Sequence, residues 1–267
     1  THALCGALAF FAMLGFYPLG QLLVWLATNV LRSQSALEVV RLALHSYYPV
    51  GQDFLLRNLE FSAQQLGARV SLHGGLWILL GGAGVFIPLE TAFNRLWGFS
   101  NHRSYWHNQL VGFLLTLACW LLTLGLVLAL ALVPPLLRTP LLHLGTIAAG
   151  AAGVFLCYYL LPHGPVRATA AWPAALLTAL AAEAVRLLFT LVLPLLDLPG
   201  SQGPYHVSVS CLVFIYVEAF VLLAGAFLAA ETMREMAGSA LARAPRGLSA
   251  STAGATPAAR PWGRDRG

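Results

Sequence analysis

The chain alternates between long apolar runs and short polar connections, and this pattern predicts its architecture. A hydrocarbon core of about 30 Å takes about twenty helical residues to cross. Six runs meet that length, at residues 4–31, 72–97, 108–133, 141–161, 172–196 and 208–230. The runs are continuous, whereas membrane barrels show segments of alternating polarity. The sequence therefore predicts an all-α polytopic membrane bundle with six transmembrane helices.

The segment between the first two runs, residues 33–71, carries charges throughout and apolar residues at helical spacing. Its first half places Leu37, Val40 and Leu44 on one helical face. A second helix after the break at Pro49 places three more leucines on a face, namely Leu55, Leu59 and Leu66. Neither helix is apolar enough to span, so we predict an amphipathic hairpin at the interface or capping the bundle. Simple packing against the other helices is the plainer alternative.

The composition divides the chain into a membrane domain, residues 1–236, and a tail, residues 237–267. The tail is rich in Ala, Gly, Pro, Ser and Arg, which bury too little apolar surface to offset the entropy lost on ordering, so we predict a flexible basic segment. The first apolar run is too long for a signal-peptide core and is interpreted as a retained helix.

Overall composition supports a membrane protein, since 58% of residues are hydrophobic and only 9% are charged. The net charge of +5 comes from arginines scattered over loops and tail, which favours membrane lipids over nucleic acid as partners. Nine arginines fall on the terminal side and five on the other side, which predicts cytoplasmic termini. Four dispersed cysteines and eight dispersed histidines show no metal-ligand spacing, and no cofactor motif is present.

Ionisable residues within spans are costly, on the order of 3 kcal/mol each, and therefore mark candidate sites. Glu183 and Arg186 are three residues apart on one helical face. They either neutralise each other, or Arg186 faces a cavity and binds an anionic group while Glu183 orients it. Glu218 has no basic residue within one turn, and we expect it to be protonated or to pair with another helix.

The stretch GVFIPLETAFNRLWGF, residues 84–99, concentrates polar groups at the end of a span. Pro88 predicts a helix kink, as Pro18 does in the first span. Glu90 and Asn94 share a face, while Arg95 points toward the interface. The plainer interpretation is an ordinary helix end, with Arg95 snorkelling and Trp97 anchored at the interface.

Three stretches together resemble the YihY/BrkB family of bacterial inner-membrane proteins: GALAFFAMLGFYPL, GVFIPLETAFNRLWGF with HRSYWHNQLVGFLLTL, and VFIYVEAFVLLAGAFLAAE. A family element ending in asparagine and an aromatic matches Asn94 and Trp97, and an aromatic–proline element matches Pro18. A glycine–alanine–glutamate element is met only in part, because Phe227 stands where the glutamate would be.

The resemblance implies a six-helix bundle in the inner membrane, no known cofactor and no settled activity. Family members are linked to envelope integrity and serum resistance and are suspected transporters. An old ribonuclease label also attaches to the family. We do not expect it to apply, since a hydrolytic nuclease needs clustered histidines and carboxylates beside a basic groove.

These observations lead to a transporter or flippase-like protein for a lipid-related or anionic amphiphile as the leading hypothesis. It predicts one shared cavity for the polar residues inside the spans. A non-catalytic accessory subunit of a larger membrane complex, or a homo-oligomer, is the alternative, supported by the small-residue face GTIAAGAAG at 145–153. We do not expect an enzyme, because no nucleophile or nucleotide-binding motif is present.

Overall fold

The computed structural model describes residues 2–47, 56–59, 61, 84–99, 104–192, 195 and 206–243, and within these ranges regular structure is helical throughout. Seven helices are named here in chain order: α1 (His2–Trp25), α2 (Gln34–Tyr47), α3 (84–97), α4 (Tyr105–Ala131), α5 (Pro135–Leu160), α6 (Ala168–Val192) and α7 (His206–Arg243). A π-helical turn, Leu26–Val30, extends α1.

Five helical segments are long and apolar enough to cross a membrane, and they correspond to five of the six predicted spans. They are His2–Val30, Trp106–Ala131, Pro135–Leu160, Ala168–Val192 and Val207–Met236. The second predicted span is described only from residue 84, as α3, and its first part lies outside the described residues. The multi-pass architecture is therefore confirmed, while the count of six stays a prediction.

The larger of two buried cores joins α1, α3, α4, α5, α6 and α7. Phe93 and Tyr158 are fully buried at its centre and pack edge-to-face, with ring centroids 5.4 Å apart. Trp97 packs edge-to-face against Phe93 and is also buried, so its predicted role as an interface anchor is wrong. Buried aromatics of this kind fix the position of α3 against the bundle.

The second core lies where α1 turns into α2. Val24 of α1 and Val39 of α2 pack there with Val127 of α4 and Leu142 of α5. The predicted apolar face of α2 is found, since Val40 is buried and Leu37 and Leu44 pack against this core. Helix α2 thus lies against the ends of α1, α4 and α5.

The second half of the predicted hairpin is described only at residues 56–59 and 61, which are helical, and Leu59 is fully buried against the second core. Leu55 and Leu66 lie outside the described residues. The hairpin as a whole therefore stays a prediction.

The helices continue through the two prolines predicted to bend them. Pro18 lies inside α1, and Pro88 is buried inside α3. The bends predicted at these prolines stay predictions. The first span ends in a π-helical turn, where the Leu31 amide donates to the Leu26 carbonyl at 2.9 Å. Helix α7 also runs to Arg243, beyond the boundary predicted at residue 236, and residues 244–267 lie outside the described part of the chain.

Candidate functional site

A cavity of about 530 Å³ lies among the four helices α4, α5, α6 and α7. Most of its wall is apolar. Three acidic or basic residues on two helices interrupt that wall, Glu183 and Arg186 from α6 and Glu218 from α7. Volumes of roughly 300–1,000 Å³ with a few polar groups on an apolar wall are typical of small-molecule sites. The three predicted residues of the last two spans are thus brought to one hollow.

Arg186 is buried and stands at the centre of a polar group that we call the Arg186 cluster: Arg186, Glu183, His143 and the Ser46 carbonyl. Its Nη2 and Nε atoms donate to the two oxygens of Glu183, at 2.5 and 3.0 Å. Its Nη1 atom donates to the Ser46 carbonyl at 2.8 Å. Nδ1 of His143 lies 3.2 Å from both Arg186 Nη2 and Glu183 Oε1. The forked contact orients the guanidinium and balances its charge.

The cluster connects three parts of the chain. Glu183 and Arg186 come from α6, His143 from α5, and the Ser46 carbonyl from the last turn of α2. The carbonyls of a helix's last turn have no partner within the helix, so a cation is a favourable neighbour there. Arg186 therefore fastens α2 to the bundle and also lines the cavity.

Glu218 faces the same cavity from α7 and is half-buried. Among the described residues, no group donates a hydrogen bond to its carboxyl. It lies close enough to Glu183 and Arg186 for their charges to act on it. The sequence left Glu218 either protonated or paired with another helix, and within the described part of the structure no hydrogen bond from another helix reaches its carboxyl.

Small residues let the helices around the cavity approach closely. A Cβ added at Gly225 of α7 would overlap Thr178 Oγ1 and would lie 2.5 Å from the Tyr158 hydroxyl. That hydroxyl donates to the Leu222 carbonyl at 2.7 Å. Gly150, from the small-residue face of α5, would place a Cβ 3.8 Å from Ala179. This face is therefore used within the bundle, at the cavity wall.

Glu90 and Asn94 belong to a different group, the Glu90 cluster: Glu90, Asn94, Asn108 and His163. Glu90 Oε1 accepts from His163 Nε2 at 2.5 Å and from Asn108 Nδ2 at 2.7 Å. Asn94 Oδ1 accepts from the backbone amide of His163 at 2.8 Å. The side chains of His163 and Glu90 are only 7% and 15% exposed, so these bonds form away from water. The cluster joins α3 to α4 and to the α5–α6 connection.

The end of α3 sets this geometry. Gly98 follows the helix with φ +74°, a left-handed conformation that favours glycine, and the Phe99 amide donates to the Asn94 carbonyl at 3.0 Å. This is a Schellman cap. The cap directs Phe99 onto Gly164, where a Cβ would come within 2.7 Å of three ring carbons. Glycine at 164 thus brings the neighbouring His163 up to Glu90.

The prediction of a single shared cavity for all the polar residues is therefore wrong in geometry, although the functional roles of those residues stay predictions. Glu183, Arg186 and Glu218 line the cavity described above, and Glu90, Asn94 and Arg95 are absent from its wall. Arg95 is exposed on the outer side of α3, as the helix-end interpretation predicts.

Sequence reasoning missed both histidines of the two clusters. His163 lies in the short connection LPHGP between two spans, where proline and glycine favour a turn. That turn was the sequence signal that could have pointed to His163. His143 lies 43 residues before Arg186 in the sequence, so helical periodicity gives no sign of their contact. Among the described residues, no group of three potential metal ligands occurs.

The fold and the cavity define a multi-pass helical membrane protein with a mostly apolar hollow that carries a few acidic and basic side chains. The profile of the family described as Virulence factor BrkB matches residues 2–247, and the chain belongs to that family. No curated protein and no solved structure matches the chain.

Proposed function

We propose that this protein moves a lipid-related amphiphile across a bacterial inner membrane through the cavity among α4 to α7. The observation that carries the proposal is the cavity itself, about 530 Å³ of largely apolar wall with Glu183, Arg186 and Glu218 at its surface. An apolar wall suits an acyl chain, and a few ionisable groups inside a span suit a head group.

The accessory-subunit alternative loses the sequence feature that favoured it. The small residues at 145–153 pack within the bundle: a Cβ at Gly150 would contact Ala179, one at Gly153 would contact Cys119, and one at Gly145 would overlap Leu126. A face used internally offers no support for a docking surface. Transport through the cavity is therefore the function that we propose.

The orientation is part of the proposal. Both termini face the cytoplasm in this scheme, because the terminal side carries the larger number of arginines. A reporter that is active only in the cytoplasm, fused after Gly267, checks this placement. A fusion that is active only outside the cytoplasm would contradict it.

Reconstituted vesicles test the transport proposal. Phospholipids with a fluorescent acyl chain and a cationic, zwitterionic or anionic head are placed in both leaflets, and an impermeant reductant bleaches the outer one. Vesicles with protein should lose the inner fluorescence of at least one lipid faster than vesicles without protein. The proposal would be overturned if, for each of the three lipids, vesicles with protein and vesicles without protein lost the inner fluorescence at the same rate.

Two matched variants show whether the cavity is the route. Ala182 lines the cavity, whereas Ala184 on the same helix is exposed on the outer surface. Ala182→Phe places a ring in the hollow and should slow lipid movement severalfold. Ala184→Phe adds the same ring on the lipid-facing side and should leave the rate unchanged. Equal rates for the two variants would exclude the cavity as the path.

A further inference from the structure

Among the described lining residues, the acidic and basic side chains at the cavity wall do not balance. Arg186 is held by both oxygens of Glu183, so this pair is neutral as a unit. Glu218 is the second carboxyl on the wall, and Arg186 is the only arginine among the described lining residues. The chain contains no lysine. The described part of the wall therefore carries one negative charge without a matching positive charge when Glu218 is ionised.

An aromatic ring lines the cavity one helical turn before this carboxyl. Phe214 precedes Glu218 by four residues on α7, so the two side chains lie on one helical face, and both line the cavity. The ring packs against Phe189 of α6, with centroids 5.2 Å apart, which holds it in place. A carboxylate beside an aromatic face is the combination that recognises an organic ammonium group.

We infer that the cavity binds the cationic head group of an amphiphile, such as an ammonium group. Glu218 supplies the counter-charge, Phe214 supplies the aromatic face, and the apolar wall takes the chain. The inference rests on the proposed function, since it names the head-group class of the molecule that the cavity carries. It replaces the anionic class that the sequence pattern favoured.

Other occupants fit the wall less well. A hard metal ion needs about six oxygen ligands, and the described lining side chains offer oxygens only from Thr123, Thr146, Glu183 and Glu218. A proton alone needs no hollow of about 530 Å³. An anion would have to compete with Glu183 and the Ser46 carbonyl for the Arg186 guanidinium. A large, weakly hydrated organic cation matches both the volume and the charge.

Equilibrium binding to the protein in lipid nanodiscs tests the inference directly. Three fluorescent probes share one alkyl chain and end in trimethylammonium, hydroxyl or sulfate. The trimethylammonium probe should bind most tightly. Glu218→Gln should weaken its binding about tenfold or more, because a charge-assisted contact is lost while the shape is kept. Glu231→Gln, the same change on the exposed part of α7, is the matched control and should bind as the parent does.

Phe214→Leu is the second variant and keeps an apolar side chain at the wall. It should weaken trimethylammonium binding about two- to fivefold and leave the hydroxyl probe unchanged, because only the cation uses the ring face. Unchanged hydroxyl-probe binding in all three variants shows that the cavity is intact. Equal cation binding by Glu218→Gln and the parent, or sulfate binding as tight as trimethylammonium binding, would overturn the inference.

The two proposals fail separately. Cation binding that depends on Glu218, without lipid movement in the vesicle assay, upholds the site and removes transport. Lipid movement that is the same in the parent and in Glu218→Gln, with no preference for the cationic head, overturns the inference and leaves transport standing.

Discussion

The Arg186 cluster and the Glu90 cluster are built from similar side chains but lie in different surroundings. Each contains a carboxylate that pairs with a histidine from another part of the chain, Glu183 with His143 and Glu90 with His163. The Arg186 cluster lies at the wall of a hollow of about 530 Å³, next to the further carboxyl of Glu218. The Glu90 cluster is tied into the Schellman cap of α3 and the α5–α6 connection.

The difference shows that buried polarity in a membrane helix is not by itself a sign of a site. Glu90 and Asn94 each accept hydrogen bonds from neighbouring residues, which explains their presence without a ligand, while Asn108 Oδ1 is buried with no partner among the described residues. Glu218 has no such explanation among the described residues, and that is why it, rather than Glu90, carries the functional inference. The polar residues Glu90 and Asn94 of α3 are therefore interpreted as structural.

The largest expected effect is on the Arg186 cluster. Arg186→Met leaves the Glu183 carboxylate inside the membrane without its cation, and we expect a loss of about 3–5 kcal/mol of stability. Thermal unfolding in detergent, followed by retention on a size-exclusion column, measures the change. The double variant Glu183→Gln with Arg186→Met should recover part of the loss, because the remaining uncompensated charge is removed.

Arg234→Met is the control for that experiment. Arg234 pairs with Glu231 at 3.0 Å, but both side chains are about half exposed, at 53% and 47%. Exposed pairs contribute about 0–1 kcal/mol, so the control should unfold almost as the parent does. Equal losses for Arg186→Met and Arg234→Met would show that the Arg186 cluster does not hold the bundle together.

The second expected effect separates structure from function. Glu90→Leu removes the acceptor of both His163 and Asn108, and leaving buried donors without partners should cost about 2–3 kcal/mol. Glu90→Gln keeps one acceptor oxygen and should cost less. In reconstituted vesicles, the Glu90→Gln protein that remains folded should move lipid at the parent rate. A transport defect in Glu90→Gln comparable to that of Ala182→Phe would remove the distinction between the two clusters.

The smallest expected effect concerns the ion pair that fastens α2 to α5. Arg138 is buried and donates to Glu38 at 2.6 Å, but it also donates to the Val133 carbonyl at 2.9 Å. The Glu38 side chain is 57% exposed. Glu38→Gln should therefore cost about 0–1 kcal/mol in the same unfolding measurement. A loss as large as that of Arg186→Met would mean that α2 is held by this pair rather than by the Ser46 contact.

Much of the fold could be predicted from the sequence because hydrophobic length is a local property. The last four predicted spans fall on α4 to α7, and each begins within six residues of the start of its helix. The helical extension of α7 to Arg243 was missed, because alanine and arginine permit helix even where the composition indicates a tail.

The candidate site was predicted only as far as helical spacing reaches. Glu183 and Arg186 were paired correctly from their separation of three residues. Spacing could not show that Glu218 faces this pair while Glu90 faces His163, because those neighbours come from other helices. The burial of Trp97 was missed for the same reason, since its partners include Tyr158 of α5.

The sequence by itself determined that this protein is helical and lies in a membrane, because burying twenty apolar residues in hydrocarbon depends only on which residues follow one another. The tertiary structure alone decided which polar groups meet. Small residues such as Gly225 and Gly164 let particular helices and loops approach, and that approach leaves Glu90 enclosed and Glu218 open to a cavity. Contacts between distant segments depend on the packing of all the helices together, and no local pattern records them.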